Sequence, residues 1–342
     1  MVITEMDDYG HEQVTYISDQ ETGLEAIIAI HDTTLGPSLG GTRLRPYATE
    51  GDALWDVLRL SQAMTYKAAA AHLDLGGGKA VIIADPTDKT SEMMRAYGQA
   101  VDWLGGRYIT SVDMNTGVDD MEIIAEETEH VVGREDGLGD PSPVTATGVF
   151  SGIKACCEAV YGTDDLSDRS VVIQGVGKVG RDLAVHLSEA GASVSVSDID
   201  EEKLAVFADE HGFDVVDANA VYEQPCDVFA PCAIGGVIND DTIGRLDCDI
   251  VAGGANNVLD DRSHATALKD RDILYAPDYV INGGGLITVA TEAQGGTLED
   301  ATEQAEQIGD RLLTMIETAE TEGITVLDAA DRYAEERIQQ AR

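Results

Sequence analysis

Apolar and polar positions alternate in two short runs near the start of the chain, Gln13-Val14-Thr15-Tyr16-Ile17 and Leu24 to Ile30, which predicts two strands. The period then lengthens. From about Gly51 to Ala71 the residues Ala53, Leu54, Val57, Leu58 and Ala63 recur at helical spacing, and Asp52 lies near the positive end of that helix. A Gly76-Gly77-Gly78 turn, an apolar strand Ala80-Val81-Ile82-Ile83 and a helix over about Ser91 to Leu104 complete a first α/β region.

A second region opens near Pro143 with a helix through Gly148 to Val160. Strand Val171-Val172-Ile173, a glycine turn, helix Lys178 to Ala190 and strand Ser193 to Ser197 follow, and the alternation continues through Asp227 to Ala230 and Asp249 to Ala252. That is the pattern of a doubly wound parallel sheet. Past the glycines at 283–285, the helical stretches Leu298 to Glu320 and Val326 to Ile338 alternate with no strand, so they are expected to return to the first domain. The fold class expected is α/β in two domains: residues 1–142 with 321–342 packing back on them, and a Rossmann-type domain over 143–320.

Composition narrows the functions open to such a fold. The 342 residues carry 64 Asp plus Glu against 22 Lys plus Arg, a formal net charge of −42. Nucleic acid and anionic membranes need a surplus of basic side chains, so both are excluded as partners. The acidic residues are dispersed, at Asp7-Asp8, Asp119-Asp120, Asp164-Asp165, Asp198 to Glu202 and Glu299-Asp300, as expected of a solvated surface. Self-repulsion of this size needs screening, and at about 1 M salt the Debye length falls to roughly 3 Å, so the composition points to a salt-filled, halophile-like cytoplasm. No apolar run reaches the roughly 20 residues that span a bilayer, and Met1 to Gly10 is acidic where a signal peptide is basic, so a cytoplasmic protein is expected. The five cysteines (Cys156, Cys157, Cys226, Cys232, Cys248) have neither disulfide-framework nor zinc-ligand spacing and read as buried reduced thiols. No metal is called for. Lysine is scarce, with seven in the chain and none before Lys67.

The run Gly175-Val176-Gly177-Lys178-Val179-Gly180 matches GxGxxG directly after an apolar strand and directly before a helix. In that context the first glycine permits the tight turn, the second lets backbone approach a pyrophosphate, and the third allows close helix-to-strand packing. Asp198 follows Gly175 by 23 residues, at the end of the next strand, where a carboxylate accepts from a ribose 2′-hydroxyl and repels a 2′-phosphate. NAD is therefore favoured over NADP as cofactor.

Two of the seven lysines stand against apolar sequence: Lys67 ends Met64-Thr65-Tyr66-Lys67, and Lys79 follows three glycines. A phosphate-binding P-loop is ruled out at Lys79, because Leu73 stands where that motif needs glycine and Ala80 where it needs Ser or Thr. A lysine held in a partly dry cleft has its ammonium form disfavoured and is a credible general base near neutral pH.

The residues Gly36-Pro37-Ser38-Leu39-Gly40-Gly41-Thr42-Arg43, the runs around Lys67 and Lys79, and Arg107-Tyr108-Ile109-Thr110 leading to Asp113 closely resemble the Glu/Leu/Phe/Val amino-acid dehydrogenases. Pro141 to Ala146, Ala230-Pro231-Cys232-Ala233, Gly254-Ala255-Asn256-Asn257 and Ala276 to Asn282 extend the resemblance over nearly the whole chain. It implies that Lys67 binds the substrate α-carboxylate with Asn282 and the backbone at Gly40 and Gly41. Lys79 would be the base that activates water, and Asp113 the proton relay to the amino nitrogen. Thr145, Cys232, Ala233, Asn256 and Asn257 would join the glycine loop and Asp198 in holding NAD. The reaction implied is reversible oxidative deamination of an L-amino acid to a 2-oxo acid and ammonium, in a homo-oligomer whose first domain carries substrate and assembly contacts.

Within that family a glutamate enzyme places a lysine just before the glycine pair, where this chain has Leu39. A side-chain carboxylate buried against leucine would be unpaired at a cost of several kcal/mol. By the same matching Ser111, Leu312 and Met315 would complete an apolar side-chain pocket, so a branched-chain substrate (leucine, valine, isoleucine) is expected. A valine- or phenylalanine-preferring enzyme, or a non-catalytic NAD-binding regulator, are the alternatives. Gly283, where alanine is usual, is expected to loosen its loop.

Overall fold

The computed structural model describes residues 2–342. The described residues divide into two units, one of residues 2–139, 289–297 and 334–342, the other of residues 140–288 and 298–333. The first unit's opening segment ends at Gly139, against an expected boundary of 142/143. Of the C-terminal region, however, only 334–342 belongs to the first unit, which also takes in 289–297. The Glu292 carboxylate accounts for the latter, accepting from Gly133 N–H at 2.7 Å and Leu138 N–H at 3.1 Å.

The first unit runs α1 (Val2–Tyr9), β1 (Gln13–Asp19), β2 (Leu24–Asp32), β3 (Ser38–Arg45), α2 (Glu50–Ala70), β4 (Gly76–Ile83), α3 (Ser91–Asp102), β5 (Tyr108–Ser111) and α4 (Val118–Ala125). Its mixed sheet has the order β1-β2-β4-β3-β5, with β2 antiparallel to β1 and β4, and β3 parallel to β4 and β5. Alternate residues of β2 and β4 serve two cores. Ile27, Ala29 and Val81 pack with Ala53, Val57 and Leu58 of α2, while Ile28, Ile30, Ala80 and Ile82 pack with residues of α3 and α4 such as Met94, Tyr97 and Ile124.

The three glycines expected to form a turn are the first residues of β4. They are glycines because the layers touch there: a Cβ on Gly77 would lie 2.2 Å from Thr65 N of α2, and one on Gly78 would lie 2.7 Å from the Tyr108 ring. Strand β3 escaped the alternation pattern for a related reason, since Gly40 approaches so closely that a Cβ would lie 1.7 Å from Gly78 O.

Helix α2 is fixed at both ends. The Thr49 hydroxyl accepts from Asp52 N–H at 3.1 Å and donates to the Asp52 carboxylate at 2.9 Å, and Arg337 donates to Leu73 O at 2.8 Å and to the Asp74 carboxylate at 2.9 Å. Along its length, His11 Nε2 hydrogen-bonds Ser61 Oγ at 2.6 Å and His31 Nδ1 hydrogen-bonds Thr65 Oγ1 at 2.8 Å, with the two rings edge to face at 4.8 Å.

The second unit begins with α5 (Ser142–Tyr161), followed by β6 (Ser170–Gln174), α6 (Lys178–Glu189), β7 (Ser193–Ser197), α7 (Glu201–His211), β8 (Asp214–Val215), β9 (Cys226–Pro231), β10 (Cys248–Val251), α8 (Ser263–Lys269), β11 (Leu274–Tyr275) and α9 (Asp278–Ile281). All six strands are parallel in the order β11-β10-β9-β6-β7-β8, so the order reverses between β6 and β9. This is the Rossmann arrangement, and ligands bind at its switch point.

Helix α10 (Gly284–Ala293), which the pattern had not suggested, is followed by α11 (Leu298–Glu306), α12 (Ile308–Glu322) and α13 (Val326–Ala341). The stretch expected as one helix over 298–320 is thus two, separated at Gln307. Nor does the glycine run loosen a loop. Gly283 O accepts from Ile287 N–H at 3.0 Å, and α10 starts where a Cβ on Gly284 would lie 2.6 Å from Thr145 Cα.

The histidine pair makes acid stability predictable. Burial first, and His31 beside it second, lower the pKa of His11 to about 4, and burial also lowers that of His31. The folded state therefore takes up these protons later than the unfolded chain. Stability is complete above the ordinary histidine range and is lost as pH falls toward the folded values, by on the order of 3 kcal/mol for His11. Urea unfolding midpoints should fall between pH 6.5 and 4, and His11→Phe should flatten that fall.

Candidate active site

In the first unit, Lys79 sits in the middle of β4, opposite Ala29 of β2, with its side chain 9% exposed. Its Nζ forms an ion pair with Asp113 Oδ2, just past the end of β5. Asp113 is held from behind: its N–H donates to Thr116 Oγ1 at 2.9 Å, and that hydroxyl donates to Thr42 O at 2.8 Å. Burial disfavours the Lys79 ammonium and lowers its pKa, and the Asp113 carboxylate opposes only part of that shift. For Asp113, burial acts to raise the pKa but is outweighed by Lys79 and Arg43, so the carboxyl titrates below its usual range.

Around this pair the glycines set the spacing. Gly40 and Gly41 of β3 lie opposite Thr110 and Ser111 of β5, and a Cβ on Gly41 would meet Val112 O at 2.4 Å and Asp113 Cβ at 2.9 Å. Leu39, opposite Gly77, is 2% exposed, and Ser111 is buried. Lys67 lies near the C-terminal end of α2 and is half-buried. Sequence reasoning passed over two charged neighbours, Arg43 and Asp56. The Arg43 guanidinium donates to Asp56 Oδ2 at 3.1 Å, and its Nε lies 3.6 Å from Asp113 Oδ2. The signal available was Arg43 following the glycine pair by two residues on the same strand.

In the second unit the glycine turn leaves β6 at the switch point. Gly175 has φ +102°, which an L side chain rarely adopts, and a Cβ on Gly180 would lie 2.0 Å from Gly175 O, so the third glycine brings α6 against the turn. At Gly177, the N-cap of α6, a Cβ would meet nothing within 4 Å, so no side chain crowds the start of the helix. That cradle fits a pyrophosphate. Val176 N–H donates to Asp198 Oδ2 at 2.7 Å and Asp200 N–H to Oδ1 at 3.0 Å, so Asp198 is tied to the turn rather than being one more surface acid. Burial raises and these backbone bonds lower its pKa, with a net depression.

Beside Asp198, Ile199, Leu204, Val216 and Asn219 line a cavity of about 600 Å³. At the other side of the turn, the Cβ of Ala233 lies 2.7 Å from where a Cβ on Gly175 would be, and Cys232 Sγ accepts from Gly254 N–H at 3.4 Å. Val179 packs at Gly254, and Lys178 Nζ donates to Asp140 at 2.7 Å. Asn282 Nδ2 donates to Asn256 Oδ1 at 2.8 Å and Ala255 O at 3.2 Å, next to Asn257, whose φ is +52°. Thr145 is buried at the start of α5, its hydroxyl donating to Pro141 O at 2.9 Å.

Leu312 and Met315 are core residues of the second unit. Both lie on α12, which packs along α5, and are 0% and 1% exposed, with Leu312 against the Gly152 position. Their size is explained by core packing. Of the cysteines, Cys156 and Cys157 are buried as expected, whereas Cys226, Cys232 and Cys248 are half-buried.

A Rossmann sheet with a GxGxxG turn at its switch point, on one chain with a unit that buries a lysine against a carboxylate, has the architecture of a dinucleotide-dependent enzyme. The family described as "Glu/Leu/Phe/Val dehydrogenase, dimerisation domain" matches residues 11–130, and "Glutamate/Leucine/Phenylalanine/Valine dehydrogenase" matches 195–342. The leucine dehydrogenase of Bacillus subtilis is 48% identical over 98% of this chain and 94% of its own length. A phenylalanine dehydrogenase of Bacillus thermotolerans is 48% identical over 96% and 88%. The crystal structure of L-tryptophan dehydrogenase from Nostoc punctiforme superposes with a TM-score of 0.92 at 45% identity, covering 100% of this chain and 99% of that one. Glutamate dehydrogenase from Peptoniphilus asaccharolyticus, at 20% identity and a TM-score of 0.77 over 98% and 93%, shares the fold. The chain belongs to the Glu/Leu/Phe/Val dehydrogenase family and is an NAD-dependent amino-acid dehydrogenase.

Proposed function

We propose that the substrate is a branched-chain aliphatic L-amino acid, oxidised to its 2-oxo acid with release of ammonium. The observation that carries this is Leu39: buried at 2% exposure just before Gly40 and Gly41, it offers apolar surface and no cation for a side-chain carboxylate. The leucine dehydrogenase relatives support the same reading. A phenylalanine- or tryptophan-preferring enzyme is the second reading, favoured by relatives with those names at 48% and 47% identity.

In this mechanism Lys67 and the backbone at Gly40 and Gly41 bind the α-carboxylate. NAD, which the glycine turn at Gly175, Gly177 and Gly180 together with Asp198 would hold, would supply the acceptor for the hydride on the substrate Cα. Lys79 in its neutral form takes a proton from the water that attacks the imine carbon, and Asp113 passes protons to and from the amino nitrogen. The buried, desolvated setting of Lys79 supplies the free amine near neutral pH, and once protonated the lysine stabilises the developing charge at the reacting centre. Asp198 would accept from the adenosine ribose of NAD and disfavour a 2′-phosphate.

The protein works, on this proposal, as a homo-oligomer in a salt-filled cytoplasm. The matched family's description as a dimerisation domain supports the first point. For the second, only Asp32, Asp56 and Asp120 among the acidic side chains of the described residues are buried, so the charge excess lies in solvent. No helix of the described residues is long and apolar enough to cross a membrane.

Initial rates on an amino-acid panel in molar KCl, with NAD and NADP compared, should rank leucine, valine and isoleucine above phenylalanine and tryptophan, with NAD preferred; a preference for either aromatic substrate overturns the pocket assignment. Lys79→Ala should lower turnover by about 10²–10⁴-fold, the range typical of general base catalysis, and a loss within tenfold would remove Lys79 from that role. Activity and thermal midpoint should fall together as KCl is withdrawn, whereas full activity in dilute buffer would contradict the salt assignment.

A further inference from the structure

Four charged groups, contributed by four different segments, form one chain of contacts in the first unit: Lys79 of β4, Asp113 past β5, Arg43 of β3 and Asp56 of α2. The last link is closed from outside. The Tyr47 hydroxyl donates to Asp56 Oδ2 at 2.8 Å and Arg59 to Oδ1 at 3.2 Å, so both carboxylate oxygens of Asp56 are occupied. The Arg43 and Asp56 side chains are 16% and 9% exposed, about as dry as Lys79 itself.

A base must spend part of its cycle neutral, and that creates a difficulty for its partner. Were Lys79 the only cation at Asp113, loss of the lysine proton would strand a carboxylate 20% exposed, and Asp113 would take up the proton in its place. Arg43 changes this, because a guanidinium stays charged throughout the working range. With Lys79 neutral, Arg43 still faces Asp113 and Asp56 still holds Arg43, leaving two negative groups balanced by Arg43 and Arg59.

We infer that Arg43, anchored by Asp56, is a positioning residue that keeps Asp113 ionised while Lys79 gives up and regains its proton. This rests on the proposed role of Lys79 and adds two residues to it. The groups that act on the Lys79 charge are then Asp113, Arg43 and Asp56. Arg43, a like charge, promotes loss of the lysine proton, and Asp56 opposes it. The two anchors therefore pull in opposite directions, which a merely structural role does not.

The test is the pH profile of kcat/KM for oxidative deamination, whose acidic limb reports the base in the free enzyme. Arg43→Gln should move that limb to higher pH by about one unit, a charge contact being worth roughly that much, and Asp56→Asn should move it to lower pH. Arg43→Lys should leave the limb near wild type with a lower kcat, since the charge stays and the fork geometry is lost. NADH binding followed by fluorescence reports folding of the variants independently. Limbs that coincide with wild type, or that shift the same way in Arg43→Gln and Asp56→Asn, overturn the inference. If Arg43→Gln does not fold, Asp56→Asn and Arg43→Lys decide it alone: a lowered limb in the first with an unmoved limb in the second is required. An active Lys79→Ala would instead remove the base assignment beneath it, whereas an inactive Lys79→Ala with unmoved limbs would sink this inference only.

Discussion

The first unit is organised around one ion pair in a dry place. A buried ammonium is costly unless a carboxylate meets it, and a buried carboxylate is costly unless cations meet it, so Lys79 and Asp113 must be delivered to one point by separate strands. The sheet achieves this by thinning. Glycines at 40, 41, 77 and 78 remove the side chains that would hold β3, β4, β5 and α2 apart, and Lys79 emerges into the resulting layer beside Asp113. Asp113 keeps the lysine in place, but burial dominates its proton affinity, which is the combination a base needs.

The second unit solves a different problem by related means. There the glycines separate their tasks: Gly175 takes a left-handed turn, Gly180 lets α6 approach, and Gly177 leaves the start of its helix uncrowded by a side chain. Asp198, anchored by two backbone N–H groups, ties the end of β7 to the turn, so the two parts of the proposed dinucleotide site belong to one hydrogen-bonded structure. A carboxylate held this way keeps its charge, which is the basis of the proposed discrimination against a 2′-phosphate.

Much of this was legible in the sequence, and the exceptions have physical causes. The Rossmann alternation, the GxGxxG turn and the prominence of Lys67 and Lys79 in a lysine-poor chain could be read directly, and the family resemblance held over both units. The triple glycine looked like a turn because glycine usually marks one; here it marks contact between layers, which only the third dimension reveals. Helix α10 was hidden behind its own glycines. Leu312 and Met315 have the apolar character of a substrate pocket, but apolar residues at helical spacing serve a core equally well, and their helix packs along α5. Arg43 and Asp56 were invisible as a pair because 13 residues and a change of element separate them.

The account depends above all on Lys79 being a lysine whose ammonium is disfavoured by burial. With seven lysines in the chain, the Lys79 side chain can be assigned by its absence from the Lys79→Ala spectrum and titrated by NMR. The structure predicts that it titrates clearly below the ordinary lysine value of about 10.4, apart from the exposed lysines. A Lys79 that titrates with them, or above them, would show that Asp113 outweighs burial and that this residue is a fixed cation, not the base.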